Sequence, residues 1–309
     1  MGGHEPKRND LKDDLKVLAH ARSRFNDIFV IQSGTLREMW FKGNGEFFLQ
    51  SRIDMDRPHD LALVYSRLTM AGLLFRAPPK RVLVLGLGGG VLPAALVRWF
   101  PGTAVDVVEI DDKVTRLCRR FFHSLDGDRV TVHSEDGRCY LDRVRGRVHY
   151  DLVLLDAFKS GSIPFHLKTV EFYQGIRTVM APDGVMATNL YGPSNVHKAS
   201  DWKTLTSVFE HLYFFEDEEG RATVAVCTAQ TGRMDAATLR QRAAAYPKPQ
   251  GMDLDLMALA DRQVEPVFSQ PSARVFVDSI QAGDLQRIID NNNRLDPVGK
   301  IPYTLSSAH

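Results

Sequence analysis

The stretch from residue 81 to residue 111 constrains the fold of this chain more than any other. An apolar run of strand character at residues 82–85 leads into a cluster of glycines at positions 86, 88, 89 and 90. After a segment with the length of a short helix, a second apolar run at residues 105–108 ends in Glu109. This order predicts a nucleotide-binding βαβ unit, because glycines let the backbone approach a ligand closely and a carboxylate accepts hydrogen bonds from both ribose hydroxyls.

The composition indicates an ordinary globular protein and argues against several kinds of partner. The chain has 309 residues, of which 44% are hydrophobic and 25% are charged, and its formal net charge is +1. This balance argues against electrostatic binding to nucleic acid or to membrane surfaces, and no apolar run reaches the ~20 residues of a membrane span. The N-terminus is too polar for a signal peptide and the three cysteines have no metal or redox spacing, so we expect a cytoplasmic protein.

Strand and helix signals alternate through the middle of the chain. The predicted strands are nearly continuous apolar runs, as expected when helices cover both faces of a sheet; they lie at residues 82–86, 104–109, 129–133, 151–156 and 184–190. Helices are predicted near residues 60–75, 91–99, 112–122, 137–143, 166–181 and 201–211. A closing hairpin follows residue 212, with its turn near Gly220. The order resembles an α/β, Rossmann-like, seven-stranded sheet of the methyltransferase type.

Four segments are expected along the chain. Residues 1–22 alternate lysine and aspartate without a core face and are predicted to be a polar lead-in. Residues 23–57 have β character and predict a small N-terminal sheet or hairpin domain. Residues 58–246 form the predicted Rossmann-like domain, and residues 247–309 are interpreted as an irregular extension with one short helix near 282–290.

Candidate ligand-binding residues lie at the carboxyl ends of the predicted strands, where open α/β sheets bind their ligands. In strand order these are Gly86, Gly88 and Gly90, then Glu109 and Asp111, then Asp136 and Gly137, and finally Asp156. The alternative for any one of the acids is a helix N-cap, and this alternative is strongest for Asp111.

Other chemistries find no support in the sequence. None of the ten histidines forms an H-x-x-H or H-E-x-x-H motif, so no metal site is predicted. There is no G-x-S-x-G elbow, and no G-K-[ST] follows the glycines, which argues against hydrolase and P-loop assignments. A dehydrogenase would share the βαβ unit, but it would not explain the acids after the third and fourth strands. His166 is either a residue that gates the substrate or simply the start of a helix.

Residues from about 24 to 229 together resemble the polyamine aminopropyltransferases, the spermidine and spermine synthase group. The matching pieces are S-R-F-N-D-I-F-V at 23–30, L-Q-S at 49–51, Y-S-R at 65–67, the glycine loop at 86–92, V-E-I-D at 108–111, E-D-G at 135–137 and L-D at 155–156. The string D-A-F-K-S-G-S-I-P-F-H-L-K-T-V-E-F at 156–172 is similar to divergent bacterial members called spermidine synthase-like.

The resemblance implies a role for each matching position. Glu109 would hold the ribose of a sulfonium nucleoside, and Asp136 would accept a hydrogen bond from the adenine amino group beside Gly137. Asp156 and Tyr65 would hold the attacking amine as the catalytic pair. Asn26 and Gln50 would border the nucleoside or the transferred chain.

Three departures from the family pattern each remove negative charge from the expected site. The loop at 86–90 lacks the family's aspartate, Lys159 replaces a second acid, and Arg67 replaces the acid of the Tyr-His/Gln-Glu turn. Arg67 would be able to pair with the carboxylate of intact S-adenosylmethionine. The alternative is that Arg67 and Lys159 point into solvent.

The first expectation is therefore a spermidine synthase-like transferase that moves an aminopropyl group from decarboxylated S-adenosylmethionine to an amine or polyamine. The alternatives are an S-adenosylmethionine-dependent methyltransferase on the same fold and a non-catalytic nucleoside-binding homologue. The oligomeric state stays open, although members of the family commonly form homodimers.

Overall fold

The computed structural model describes residues 15–43, 45–76, 78–125, 127–159, 163–190, 195, 197–230, 232–265 and 273–278. Within these ranges the chain forms a four-stranded antiparallel sheet and a larger eight-stranded sheet. No helix in this part of the chain is long and apolar enough to cross a membrane.

The larger sheet has the topology expected from the alternating strand and helix signals. Its strands are β5 (Arg81–Leu85), β6 (Ala104–Val108), β7 (Val130–His133), β8 (Tyr150–Leu155), β9 (Met180–Asn189), β10 (His211–Glu216), β11 (Thr223–Thr228) and β12 (Gln263–Val264). Their spatial order is β12-β10-β11-β9-β8-β5-β6-β7. Strands β5 to β9 pair in parallel, whereas β10 and β11 form the closing antiparallel hairpin. The seven predicted strands are confirmed, and the two-residue β12 extends one edge.

Helices cover both faces of this sheet. They are α1 (Val64–Thr69), α2 (Val91–Trp99), α3 (Asp112–Phe121), α4 (Gly137–Val144), α5 (Val170–Val179), α6 (Lys198–Thr206), α7 (Ala236–Ala245) and α8 (Leu256–Ala260), with a 3-10 helix at Met70–Phe75 directly after α1. Asp111 and Asp136 cap α3 and α4, because each side chain accepts a hydrogen bond from a backbone N–H in the first turn. These caps begin the two helices directly beyond the carboxyl edge of the sheet.

The apolar strands separate two cores. Along β5, Val82 and Val84 pack into the core under α2 and the 3-10 helix, whereas Leu83 and Leu85 pack into the core under α4 and α5. Alternate side chains of a strand point to opposite faces. Continuous apolar strands are therefore needed to fill both cores.

The smaller sheet lies at the N-terminal end of the described chain. Its antiparallel strands, in spatial order, are β1 (Lys16–Arg22), β2 (Asp27–Ser33), β3 (Leu36–Gly43) and β4 (Glu46–Asp54). The predicted β domain thus begins earlier than expected, since residues 16–22 form β1 and not a lead-in. This strand was missed because basic residues and alanines make up most of it, whereas the structure pairs Lys16, Val17 and residues 19–22 with β2 across a bulge.

The chain beyond residue 247 is more ordered than an irregular extension. Leu256 and Leu259 on α8 are buried in the core beside the 3-10 helix, and α7, which the sequence pattern did not predict, packs there through Leu239. Residues 273–278, here called the C-terminal strap, hydrogen-bond to α5 and α6: Val170 N donates to Phe276 O (2.9 Å) and Phe276 N donates to Thr204 Oγ1 (2.9 Å). The helix predicted near 282–290 lies outside the described residues.

Candidate active site

A cavity of about 390 Å³ lies at the carboxyl edge of the larger sheet. One wall consists of the carboxyl ends of β5, β6 and β9 and of the segments that follow β5, β6, β7 and β8. The opposite wall comes from β3, β4 and the turn before β2. This is the position at which open α/β sheets bind ligands. The small N-terminal sheet therefore covers the cavity on the side opposite the larger sheet.

Most of the predicted site residues are brought together in this cavity. Those that line it are Asn26, Gln50, Tyr65, Gly86, Gly88, Glu109, Asp136, Gly137, Asp156 and Lys159. They come from seven separate stretches of sequence, from residue 26 to residue 159. Their shared cavity makes one ligand site geometrically possible.

Three predicted binding residues lie outside the cavity. Gly90 begins α2 and faces the side chains of Ser124 and Cys118, and Arg67 is exposed on α1, close enough to Asp253 to act on that carboxyl electrostatically. Asp111 is buried, but both of its oxygens are used internally. Asp111 is thus a helix cap, which was the alternative left open by the sequence, and Arg67 does not line the cavity.

Asp111 joins the two sheets. Its Oδ1 accepts the Lys113 N–H (2.9 Å), while Oδ2 accepts hydrogen bonds from Ser23 Oγ (2.5 Å) and Asn26 Nδ2 (2.9 Å). A second link between the sheets is made where Ser51 Oγ accepts the Gly89 N–H at 2.8 Å. These bonds hold the N-terminal sheet against the glycine loop and α3, and so they set the width of the cavity.

Glu109 is held by the backbone on both sides. Its Oε2 accepts the Leu87 N–H (3.1 Å) and its Oε1 accepts the Asp111 N–H (2.9 Å). A carboxylate offers about four acceptor positions, so each oxygen keeps one lone pair for a ligand hydroxyl. Burial raises the pKa of Glu109 to about 7, although hydrogen bonding from the backbone of Asp111, Leu87 and Ile110 acts in the opposite direction.

Asp136 forms a buried pair with His166. The distance from His166 Nε2 to Asp136 Oδ2 is 2.9 Å, and Asp136 Oδ1 accepts the Arg138 N–H at 2.8 Å. Burial alone would raise the pKa of Asp136, but the hydrogen bond and charge of His166 and the bond from Arg138 outweigh it, and the pKa lies below its ordinary value. Asp136 is therefore a negatively charged acceptor at neutral pH, with an orientation set by its neighbours.

Asp156 has neutral partners. Asn189 Nδ2 donates to Asp156 Oδ1 (3.2 Å), and Tyr65, whose hydroxyl donates to the Gln50 carbonyl (2.7 Å), also lies beside the carboxyl. Burial raises the pKa of Asp156 to about 7 against the effects of these two groups. Within the described residues no cationic side chain pairs with Asp156. An incoming cation would therefore supply the counter-charge that this carboxylate lacks.

Several residues of the site were not selected from the sequence. Asn189 ends β9 and would follow from the same strand-end rule that selected the acids, whereas His166 was weighed only as a gate or a helix start. An aromatic wall of six side chains was also missed: Phe25, Trp40, Phe41, Phe47, Phe48 and Phe158 line the cavity. Among the described residues no group of three histidine, cysteine or acidic side chains is arranged to hold a metal ion.

Comparison with known proteins adds independent evidence on the family. Residues 63–209 match the family model described as the spermine/spermidine synthase domain. A polyamine aminopropyltransferase of Vibrio vulnificus is 31% identical over 233 residues, which span 74% of this chain and 77% of that protein.

Solved structures show the same fold. A spermidine synthase in complex with the transition-state analogue AdoDATO superposes with a TM-score of 0.63 at 16% identity, over 80% of this chain and 84% of that one. Human methyltransferase-like protein 13 in complex with SAH superposes with a TM-score of 0.55 at 24% identity, over 68% of this chain and 97% of that one.

Proposed function

Since this chain belongs to the polyamine aminopropyltransferase family, we propose that its cavity is where an aminopropyl group passes from decarboxylated S-adenosylmethionine to a primary amine. One observation carries the proposal. The carboxylates that follow three strands of the sheet, Glu109, Asp136 and Asp156, all open into a single cavity. Glu109 and Asp136 are able to accept hydrogen bonds from the nucleoside of the donor, and Asp156 is able to bind the amine.

The nucleoside end of the donor is assigned to Glu109 and Asp136. Each oxygen of Glu109 keeps one free acceptor position, which matches the two hydroxyls of a ribose. Asp136, which is oriented by His166 and by the Arg138 N–H, accepts from the adenine amino group, and Gly137 allows the ring to approach. The sulfonium then lies between these residues and Asp156.

The reaction is a direct displacement at carbon. The lone pair of the amine forms a nitrogen–carbon bond with the methylene next to the sulfonium, and the carbon–sulfur bond breaks toward sulfur. The leaving group is methylthioadenosine, a neutral thioether that needs no acid. The product leaves as a secondary ammonium, so the one proton released overall is the proton that the primary ammonium loses before the attack.

Asp156 is assigned to the amine. A primary amine has a pKa near ~10.4, so removing its proton at neutral pH costs roughly 4–5 kcal/mol. A carboxylate with a pKa of about 7 is closer to this value than an ordinary aspartate, which makes it a better proton acceptor. Its larger contribution is alignment, because it holds the nitrogen in line with the carbon–sulfur bond.

A methyltransferase that uses intact S-adenosylmethionine is the second candidate. It is favoured by Lys159 in the cavity wall and by a glycine loop that carries no acid to bind the amino end of the donor. Incubating the protein with each donor and a panel of amines, then identifying the nucleoside by mass, decides between them. Methylthioadenosine supports the proposal, S-adenosylhomocysteine supports the methyltransferase, and neither product with any amine indicates a nucleoside-binding protein without turnover.

Replacing Glu109 by Gln is expected to weaken binding of methylthioadenosine by about 1.5–3 kcal/mol, or roughly 10- to 150-fold. The amide has only one acceptor oxygen, and its NH₂ group meets a backbone N–H that the carboxylate now accepts. Isothermal titration calorimetry at pH 8 measures the change. An affinity equal to that of the unmodified protein would remove Glu109 from the donor site.

The affinity for methylthioadenosine is also expected to depend on pH. Because the pKa of Glu109 is raised to about 7, its charged form is lost as pH falls below 7, and the affinity should rise between pH 6 and pH 8 and then level off. The Glu109→Gln variant provides the control, since its affinity should stay flat over this range. A slope that persists in the variant would point to another group.

Replacing His166 by Asn tests the pair with Asp136. Losing this hydrogen bond should raise the KM for the donor about 2- to 12-fold, the range for a net 0.5–1.5 kcal/mol, while kcat stays within twofold. Steady-state kinetics with varied donor separate the two effects, and thermal unfolding reports any general loss of stability. A fall in kcat with an unchanged KM would contradict the positioning role.

A further inference from the structure

The register of the sheet brings a neutral amide beside Asp156. Asp156 directly follows β8, and the last residue of that strand, Leu155, pairs with Thr188 in the parallel register of β8 and β9. Extending this register by one residue places Asp156 beside Asn189, and both side chains line the cavity. Asn189 Nδ2 donates to Asp156 Oδ1 at 3.2 Å. The contact between the amide and the carboxylate therefore follows from how the two strands pair.

The backbone of both residues is held by neighbouring strands. Asp156 N donates to the carbonyl of Leu85, the last residue of β5, at 2.9 Å. Asn189 ends β9 and pairs with Val224 of β11, and its exposed fraction is 4%. Groups carried by the ends of strands are placed more precisely than groups carried by loops. The amide therefore meets the carboxylate from a fixed position.

The chemical type of this neighbour matters as well as its position. An asparagine amide donates a hydrogen bond but carries no charge, so it stabilises an ionised carboxylate without neutralising it. Burial raises the pKa of Asp156 to about 7, and the hydrogen bond from Asn189 opposes this rise. A lysine or arginine beside Asp156 would be a permanent counter-ion in the place of the substrate ammonium. An apolar residue there would leave the buried carboxyl to be protonated.

We propose that Asn189 is a positioning residue of the transfer reaction, whose amide binds Oδ1 of Asp156 and holds the carboxylate charged and oriented toward the amine. The inference rests on the proposed aminopropyl transfer and adds a residue to it. The amide takes no part in bond making or bond breaking. Its effect reaches the reaction through Asp156 alone.

Replacing Asn189 by Asp tests the proposal, because the two side chains have nearly the same shape. Two carboxyl groups at the 3.2 Å now spanned by the hydrogen bond cannot both be ionised near neutral pH. We expect the acid limb of kcat/KM for the amine, measured at saturating decarboxylated S-adenosylmethionine, to move to higher pH by at least about one unit. The affinity for methylthioadenosine, a neutral ligand, should change less than twofold.

Replacing Asn189 by Leu removes the donor and keeps the volume of the side chain, so that water does not take its place. The acid limb should again move to higher pH, by about 1–2 units, which is the size of a hydrogen bond to a charged group. Thr188→Val is the matched control, since Thr188 is the neighbouring buried residue of β9 and lies outside the cavity. A loss of kcat/KM that is equal at every pH in both Asn189 variants would reduce Asn189 to a packing residue and overturn the proposal.

Other titratable side chains share the cavity with Asp156. Among the described residues these are Tyr65 on α1, Glu109 after β6, Glu135 and Asp136 after β7, and Lys159 on the segment of Asp156 itself. All of them are unchanged in the variants, so the difference between the pH profiles reports Asn189. A saturating donor at each pH also keeps the ionisation of Glu109, whose pKa is raised to about 7, out of the values for the amine.

The same assays separate a failure of this proposal from a failure of the proposed function. The amine used is putrescine, spermidine or n-hexylamine, whichever reacts fastest with the unmodified protein. No methylthioadenosine from the unmodified protein with any of the three would overturn aminopropyl transfer and the role of Asn189 with it. Methylthioadenosine from the unmodified protein, with an acid limb that does not move in either Asn189 variant, would overturn the role of Asn189 alone.

Discussion

Replacing Asp156 by Asn is expected to lower kcat by about a thousandfold while the affinity for methylthioadenosine changes less than twofold. General-base catalysis contributes roughly 10²–10⁴ in rate, and alignment of the nucleophile adds to it. The variant keeps the size and the contact with Asn189 but loses the charge that holds the amine. Glu109 and Asp136, which are assigned to the nucleoside, are left in place.

Single-turnover release of methylthioadenosine and calorimetric titration of the same nucleoside measure these two quantities. Asp142→Asn is a suitable control, because Asp142 is an exposed carboxylate of α4 that pairs with Arg145 outside the cavity. A kcat within tenfold of the unmodified enzyme would show that Asp156 is not the group that holds the amine.

Replacing Gly86 by Ala is expected to damage both the fold and the site. Gly86 has a φ of +97°, a conformation that residues with a side chain rarely adopt. A Cβ at this position would lie 2.4 Å from the carbonyl oxygen of Asp156 and 2.9 Å from the Cα of Ala157. These are backbone atoms, so relief requires the glycine loop and the Asp156 segment to move apart.

The combined strain should cost about 3 kcal/mol or more, which corresponds to a fall in melting temperature of roughly 5–10 °C. The activity that remains should be at least a hundredfold lower, because the donor loop and the acceptor carboxylate are displaced together. Gly102→Ala is the control, since a Cβ there meets no atom within 4 Å. Thermal unfolding and activity of the two variants, measured in parallel, give the comparison, and equal values would contradict this account.

The strand-end acids could be found in the sequence because parallel strands end at one edge of a sheet. The chain order therefore predicts that Glu109, Asp136 and Asp156 lie at the same edge, and the structure places all three in one cavity. The same reasoning does not determine where a side chain turns. Asp111 follows the strand of Glu109 by two residues, yet its oxygens bind the first turn of α3 and the N-terminal sheet.

Other features depend on tertiary packing that local sequence does not encode. Whether Arg67 faces the cavity depends on the rotation of the short helix α1, and that rotation is set by the burial of its neighbours Ser66 and Leu68. The aromatic wall comes largely from a hairpin, β3–β4, whose position over the larger sheet follows from long-range bonds such as that of Ser51 to Gly89. The pairing of His166 with Asp136 joins residues 30 positions apart.

The C-terminal strap extends the working unit of this enzyme well past the domain matched at residues 63–209. Arg138 Nη1 donates to Asp278 Oδ1 (2.9 Å) and to the carbonyl of His166 (3.3 Å), so a residue 140 positions away braces the turn that carries Asp136. A fragment cut ahead of residue 273 would retain every carboxylate of the site and yet lose this support. We therefore expect a minimal active fragment to extend at least to residue 278. A fusion partner joined before that residue should first loosen the part of the site around Asp136, which is assigned to the nucleoside.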